Sequence, residues 1–357
     1  MSFNAEPPNP HFKEQDAIPH SSEVCAWSLR QRVVFLTGCA GFIGNAVALA
    51  LLERGDTVIG VDNLSDYYSV ELKNERLKRI VYRNFHFHKI DICDKTKLTE
   101  IFQNSKIDAV LHLAAQPSVR YSLENPQIYI NSNITGTLNI FECCRNFGVK
   151  NIVYASSSSV YGENAKIPFS TSDRTDEPIS LYAATKKSCE LMAHTYSHLF
   201  GLNITGLRYF TVYGPWGRPD MMPMIFAKNI LEGKPIRIFG NGNMKRDFTY
   251  IDDIVNGTVA VLDNCLNPDS QDLRINRIFN IGRGEPVDLM RFVEILYDEL
   301  HKCRPACLPL QKEFLPMQQG DVSVTYADTT ELEKIIGYKP KVSLEEGVKR
   351  FAEWYRN

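Results

Sequence analysis

Tyr182 and Lys186 stand four residues apart in Tyr182-Ala-Ala-Thr-Lys186. On a helix that spacing brings both side chains to one face. An ammonium beside a phenol favours the phenolate, and a phenolate can take the proton of an alcohol. Many helices contain such a pair by chance, so its neighbours decide what it does. Ser157, Ser158 and Ser159 lie upstream, just past the apolar run Asn151 to Ala155. Their hydroxyls either cap a strand end or hold a substrate oxygen, and Ser157 and Ser159 are expected to face the substrate. Removing a hydroxyl proton at such a site is useful when hydride leaves the same carbon.

Hydride needs an acceptor, and Gly38-x-x-Gly41-x-x-Gly44, with Phe42 and Ile43 inside it, offers a cradle for one. The glycines lie between an apolar strand, Arg32 to Thr37, and a helix expected from Ala46 to Arg54. Glycine lets backbone N–H groups approach a pyrophosphate, and the helix N-terminus adds donors and partial positive charge. Asp62, followed by Asn63, ends the next strand at the offset of an acid that binds the adenosine ribose. A carboxylate there repels a 2′-phosphate, which favours NAD(H) over NADP(H). Asp91-Ile92 and Leu113-Ala114-Ala115 end further strands and are either plain strand ends or a floor for the cofactor. Asn131 either braces the cofactor side or serves helix geometry; spacing does not choose.

These groups need a frame. Strands are expected at 32–37, 57–62, 85–90, 109–113, 151–155 and 203–207, with helices near 95–104, 126–147 and 181–200. Strict alternation predicts an α/β fold with a Rossmann-type, doubly wound parallel sheet. After about residue 208 the rhythm changes. A short strand at 236–239 and helices near 252–264, 286–301 and 343–356 suggest a smaller C-terminal α/β lobe, the last helix opening on a capping box, Ser343 with Glu346. The expected organisation is an N-terminal arm over 1–30, a nucleotide-binding domain over 31–207 and a substrate lobe over 208–357, with some segments interleaved. The net charge of −2 over 357 residues gives no support for a nucleic-acid surface. No run is apolar enough to span a membrane, and the polar start resembles no secretory signal. Nine scattered cysteines without a CxxC pair fit reduced, buried thiols in a cytoplasmic enzyme.

Seven stretches, TGCAGFIG (37–44), VDN (61–63), HLAA (112–115), SSSSVYG (156–162), YAATK (182–186), RYFTVYGP (208–215) and RDFTYIDD (246–253), resemble the extended short-chain dehydrogenase/reductases that modify nucleotide sugars. They occur in that family's order and span nearly all of the chain after residue 30. The resemblance implies tightly bound NAD, with Tyr209 among the cofactor contacts, a UDP- or dTDP-sugar in the second lobe, and a homodimer joined through the helices near 126–147 and 181–200. Dehydratases of the family carry an Asp-Glu pair where Ser158-Ser159 stands here, and decarboxylases a Glu at Ser159, so the 4-epimerase pattern remains. Asp62 to Tyr68, Val119-Arg120-Tyr121-Ser122 and Phe210 to Met221 are most similar to the UDP-glucuronate 4-epimerases. Arg218 then offers a forked guanidinium to a sugar carboxylate, with Thr211 helping. Arg246 matches the pyrophosphate arginine. Met317-Gln318-Gln319-Gly320-Asp321 matches a loop that closes on the nucleotide, with Gln319 in place of a proline. Arg120, Ser158, Gln318 and Asp321 complete the expected substrate contacts, and no metal is implied. A 4-epimerase of neutral UDP-hexoses or UDP-N-acetylhexosamines is the alternative. A non-catalytic NAD-binding scaffold is a distant one, since Tyr182 and Lys186 are both present.

Overall fold

The computed structural model describes residues 31–164, 166–267, 275–303, 309–318 and 320–356; the N-terminal arm and Gln319 lie outside the described residues. Seven parallel strands form the main sheet, in the order Asn276–Ile281, Asn203–Tyr209, Asn151–Ser157, Ala109–His112, Val33–Thr37, Thr57–Asp62, Phe85–Lys89. The chain starts in the middle, steps outward to Phe85–Lys89, then returns to the other side at Ala109–His112. That reversal opens a crevice at the C-terminal ends of Val33–Thr37 and Ala109–His112, where ligands of such sheets bind. The central strands are covered on both faces and read as unbroken apolar runs: Val34, Phe35, Leu36, Val110 and Leu111 are wholly buried. Phe85–Lys89, with one neighbouring strand among the described residues, carries His86, His88 and Lys89 at the sheet edge.

Of three expected helices, two differ from expectation and one agrees. The first starts at Phe42, directly on the glycine turn and four residues before Ala46, and runs to Glu53. Leu181–Phe200 lies where its periodicity put it; Ser180 caps it by accepting from the Ala183 N–H at 3.1 Å, and Gly201 ends it in the left-handed region. The stretch 126–147 is not one helix. Pro126–Tyr129 passes into a π-helical turn, Ile130–Thr135, before Gly136–Phe147. The strand Asn276–Ile281 was not expected at all; it pairs with Asn203–Tyr209 and brings a late segment into the main sheet.

Beside this sheet, Lys245–Tyr250 pairs with Thr211–Tyr213 and Val324–Thr325 in parallel and with Pro286–Asp288 antiparallel. Ile236–Ile238 and Lys312–Phe314 form a separate parallel pair. Leu344–Arg356 is capped by Ser343, which accepts the Glu346 N–H at 3.2 Å. It buries Leu344, Val348, Phe351 and Ala352 along one face. One apolar core runs from Leu36 through Leu262 to Phe292 and Phe351, and a second, with Phe35, Val110 and Phe141, covers the other face of the sheet; each such side chain contributes about 1.5–3 kcal/mol when fully buried. Among the described residues no helix is long and apolar enough to cross a membrane.

Candidate active site

The glycine turn is closed by its own backbone. Gly38 takes φ +76°, donates its N–H to the Val61 carbonyl at 2.7 Å, and leaves no room for a side chain: a Cβ there would meet the Ala114 nitrogen at 2.8 Å. A Cβ on Gly44 would stand 2.0 Å from the Gly38 oxygen. Gly41 donates to that same oxygen at 2.9 Å, and no side chain caps the helix that begins at Phe42. Uncapped N–H donors over a side-chain-free turn fit a pyrophosphate. Asp62 accepts from Ala40 N–H at 3.1 Å and Leu64 N–H at 2.8 Å, and its remaining lone pairs can take a ribose diol. Asn63 donates to Asp91 at 2.8 Å, and Asp91 also accepts the Cys93 N–H at 2.8 Å. Burial pushes the Asp91 carboxyl up, but those two hydrogen bonds outweigh it and hold the group below its usual range. Ile92 is buried in the core below.

Leu113 and Ala114 are fixed by Thr37, whose carbonyl accepts the Leu113 N–H at 3.2 Å and whose Oγ1 accepts the Ala114 N–H at 3.0 Å; Ala115 follows them out of the strand. Thr37 Oγ1 also meets His112 Nδ1 at 2.7 Å, and His112 Nε2 meets Thr137 Oγ1 at 3.0 Å. Either neutral tautomer satisfies both contacts, since each hydroxyl can donate to one ring nitrogen or accept from it. Burial, with Lys186 adding to it, pushes the imidazole down to about 3, so it is neutral.

Lys186 is buried and donates to the Ala155 carbonyl at 2.7 Å. Tyr182 is half-buried, edge-on to Tyr129 with ring centroids 6.2 Å apart. Ser159 donates its hydroxyl to Ser157 Oγ at 2.8 Å and its N–H at 3.2 Å, on the 3₁₀ turn Ser158–Tyr161 where Ser158 is half-buried. The sequence reading missed what aligns strand and helix. Ser156 donates to Glu190 at 2.6 Å, and Arg208 grips both Glu190 oxygens at 2.8 Å. Glu190 lies one turn beyond Lys186, a spacing that could have revealed it. Asn131 is exposed and accepts from Gln127 at 2.9 Å. Asn133, two residues on, is the buried one: it accepts the Gln116 N–H at 2.7 Å and donates to the Gln116 carbonyl and to Thr185. Tyr209 points its ring into the core, where its hydroxyl shares a hydrogen bond with Thr258 at 2.9 Å.

On the other side of the crevice the charged residues already hold partners. Arg218 clasps Asp220 through Nε at 3.0 Å and Nη2 at 2.6 Å, and Tyr67 donates to Asp220 at 3.0 Å. Tyr67 packs on Tyr121, Tyr121 on Tyr129, and Tyr129 on Tyr182, so a chain of rings links the ion pair to the dyad. Thr211 is half-buried on its short strand. Arg120 pairs with Asp321 at 3.4 Å and lies over the Phe239 ring. Arg246 donates to the Lys245 and Ser323 carbonyls at 2.9 and 3.1 Å; burial pulls its pKa down while Asp321 opposes. Gln318 Oε1 is buried with no partner among the described residues, an acceptor available to a ligand. Arg76, on Val70–Lys78, a helix in the gap between two strands whose bounds the sequence reading did not give, is wholly buried and joins the two sides. It donates to Ala40 O in the glycine turn at 3.0 Å, and to Trp216 O and Gly217 O just before Arg218.

With this geometry, comparison with known proteins is specific. The NAD dependent epimerase/dehydratase family matches residues 34–282. The chain belongs to that family, and NAD is its cofactor. A probable UDP-glucuronate 4-epimerase of Rhizobium meliloti (strain 1021) is 46% identical over 333 residues, covering 90% of this chain and 96% of the relative. The crystal structure of UDP-glucuronic acid 4-epimerase from Bacillus cereus, in complex with UDP-glucuronic acid and NAD, superposes with TM-score 0.82 at 34% identity, over 91% of this chain and 99% of that one. UDP-glucose 4-epimerase from Thermotoga maritima, with UDP-glucose, gives TM-score 0.78, also at 34% identity, over 91% and 98%.

Proposed function

We propose that this protein is a nucleotide-sugar 4-epimerase and that its substrate pair is UDP-glucuronate and UDP-galacturonate. The observation that carries the reading is the half-buried Arg218 fork, joined by tyrosine rings to a dyad beside the Ser157 to Ser159 hydroxyls. Elimination of water needs an acid and a base beside the sugar, and Ser158-Ser159 supplies neither. Tyr182 takes the proton of the C4 hydroxyl and later returns it. Lys186, anchored on Ala155, stands one turn away to favour the phenolate and orient the nicotinamide ribose. Ser157 and Ser159, already in line, hold the C4 oxygen in both poses of the sugar. When bound, NAD supplies the hydride acceptor and donor at C4. Retention is required, because the reaction is redox-neutral overall. The ketone turns about its phosphate link while Arg246 and the loop of Gln318 and Asp321 keep the nucleotide. Arg218 and Thr211 hold the carboxylate, which protects the β-keto acid from losing CO2.

The neutral-hexose reading draws on the Thermotoga maritima enzyme, whose 34% identity equals that of the Bacillus cereus enzyme. Identity to solved structures therefore does not choose the sugar; Arg218 and the 46% relative favour the acid. Purified protein incubated with UDP-glucuronate and no added NAD is expected to form UDP-galacturonate. Epimerisation of UDP-glucose with no turnover of the acid would reverse the assignment. A homodimer through Gly136–Phe147 and Leu181–Phe200 is proposed alongside: Leu138, Leu191 and Leu199 on these helices are exposed. Leu191→Glu is then expected to give a monomer by light scattering.

A further inference from the structure

We infer that Asp220 is a specificity-determining residue, an internal carboxylate that competes with the substrate's carboxylate for Arg218. This rests on the acid-sugar reading above. Asp220 fills the Nε–Nη2 edge of the guanidinium with two hydrogen bonds, at 3.0 and 2.6 Å, the edge best suited to a carboxylate. Its side chain is only 13% exposed, against 20% for Arg218, so water screens the pair little. Tyr67 fixes Asp220 from the other side at 3.0 Å. Arg218 holds the Asp220 carboxyl below its usual range against the upward push of burial, so it is ionised at neutral pH.

A tethered carboxylate two residues away has a high effective concentration. An incoming sugar acid must displace it or accept the remaining Nη1 edge of an already neutralised cation. A neutral sugar faces no such contest. Asp220 therefore weakens binding of the acid sugar selectively, and keeps Arg218 compensated between turnovers. Removing its charge while keeping its shape leaves a half-buried guanidinium without that counter-ion, which an external carboxylate then satisfies.

The test uses the wild-type enzyme, Asp220→Asn and Tyr67→Phe. KM for UDP-glucuronate is measured beside the inhibition constant of UDP-glucose as competitor. In Asp220→Asn the ratio of the second to the first is expected to rise about tenfold, as release of a partly blocked site requires. Tyr67→Phe, which loosens Asp220 without removing it, is expected to raise the ratio about twofold to threefold. An unchanged or lowered ratio in Asp220→Asn means that Asp220 only orients Arg218, and overturns the inference while the acid-sugar reading stands. Should Asp220→Asn fail to fold, the Tyr67→Phe ratio decides in the same way. A wild type that turns over UDP-glucose but not UDP-glucuronate overturns the substrate reading, and this inference with it.

Discussion

The two sides of the crevice are built from different materials. The nucleotide and hydride side is held by groups whose bonds are closed within the fold: the backbone at Gly38, the neutral side chains of Thr37, His112, Asn133, and Ser159 on Ser157, the carboxylates of Asp62 and Asp91 on backbone N–H groups, and the buried pair of Glu190 with Arg208. Its catalytic cation, Lys186, rests on a backbone carbonyl. The sugar side is a set of charges already neutralised by one another, Arg218 by Asp220 and Arg120 by Asp321. Proton and hydride transfer in both directions demands positions that do not change during the cycle, which groups tied to the backbone or locked in a buried pair provide. Recognition of a charged sugar demands charges that can change partners.

The comparison is broken most severely on the fixed side. Tyr182→Phe removes the proton carrier and leaves the packing on Tyr129. It is expected to lower kcat about 10²–10⁴-fold, up to roughly 5 kcal/mol of barrier, with an unchanged circular dichroism spectrum. Glu190→Ala tests the frame instead of the chemistry. It strands a buried Arg208, and loss of one partner of such a pair costs about 3–5 kcal/mol of stability, readable as a lowered midpoint in urea. On the exchangeable side Arg218→Ala should cost about 2–3 kcal/mol, roughly a hundredfold in kcat/KM, for UDP-glucuronate. The loss for UDP-glucose should be much smaller. Equal losses on both sugars would mean that Arg218 merely neutralises Asp220.

How much of this could be read from the chain follows the same division. The glycine turn, Asp62, Tyr182 and Lys186 were legible because each depends on local geometry: a strand-to-helix turn, a strand end, a four-residue helical spacing. Asn131 was left open by spacing between the cofactor side and helix geometry; the buried amide is Asn133, inside the π-helical turn Ile130–Thr135, where ordinary helical register does not say which side chain faces inward. Arg76 belongs to Val-Glu-Leu-Lys-Asn-Glu-Arg-Leu-Lys, which reads as a solvated surface helix, yet tertiary contacts bury that arginine completely. Arg218 was identified as a cation, but its engagement by Asp220 depends on loop geometry that spacing does not reveal. Asn276–Ile281 was lost because its sheet partner among the described residues is some seventy residues earlier in the chain.

The smallest expected effect separates the two sides by pH. His112 lies wholly on the fixed side, and burial lowers it from 6.5 to about 3. In the unfolded chain it takes up a proton as pH falls through its ordinary value; in the folded chain it stays neutral far below that. Between those two values the unfolded state binds more protons, so stability is fully present above pH 6.5 and is lost as pH falls, by about 1.4 kcal/mol per unit. Asp91 and Asp220 have lowered values. Their contribution is present above the ordinary carboxylate range and is lost only below it, in a separate window. His88 is also lowered, by burial first and His86 second, and adds a smaller slope of the same sign. It is retained in a His112→Asn variant, so the difference between wild type and variant isolates His112. Urea unfolding of both proteins from neutral pH to pH 5 should give a gap that closes steadily below pH 6.5. Parallel curves would show that the imidazole is not held neutral, and that the hydrogen-bond path from Thr37 to Thr137 does not fix the nucleotide side.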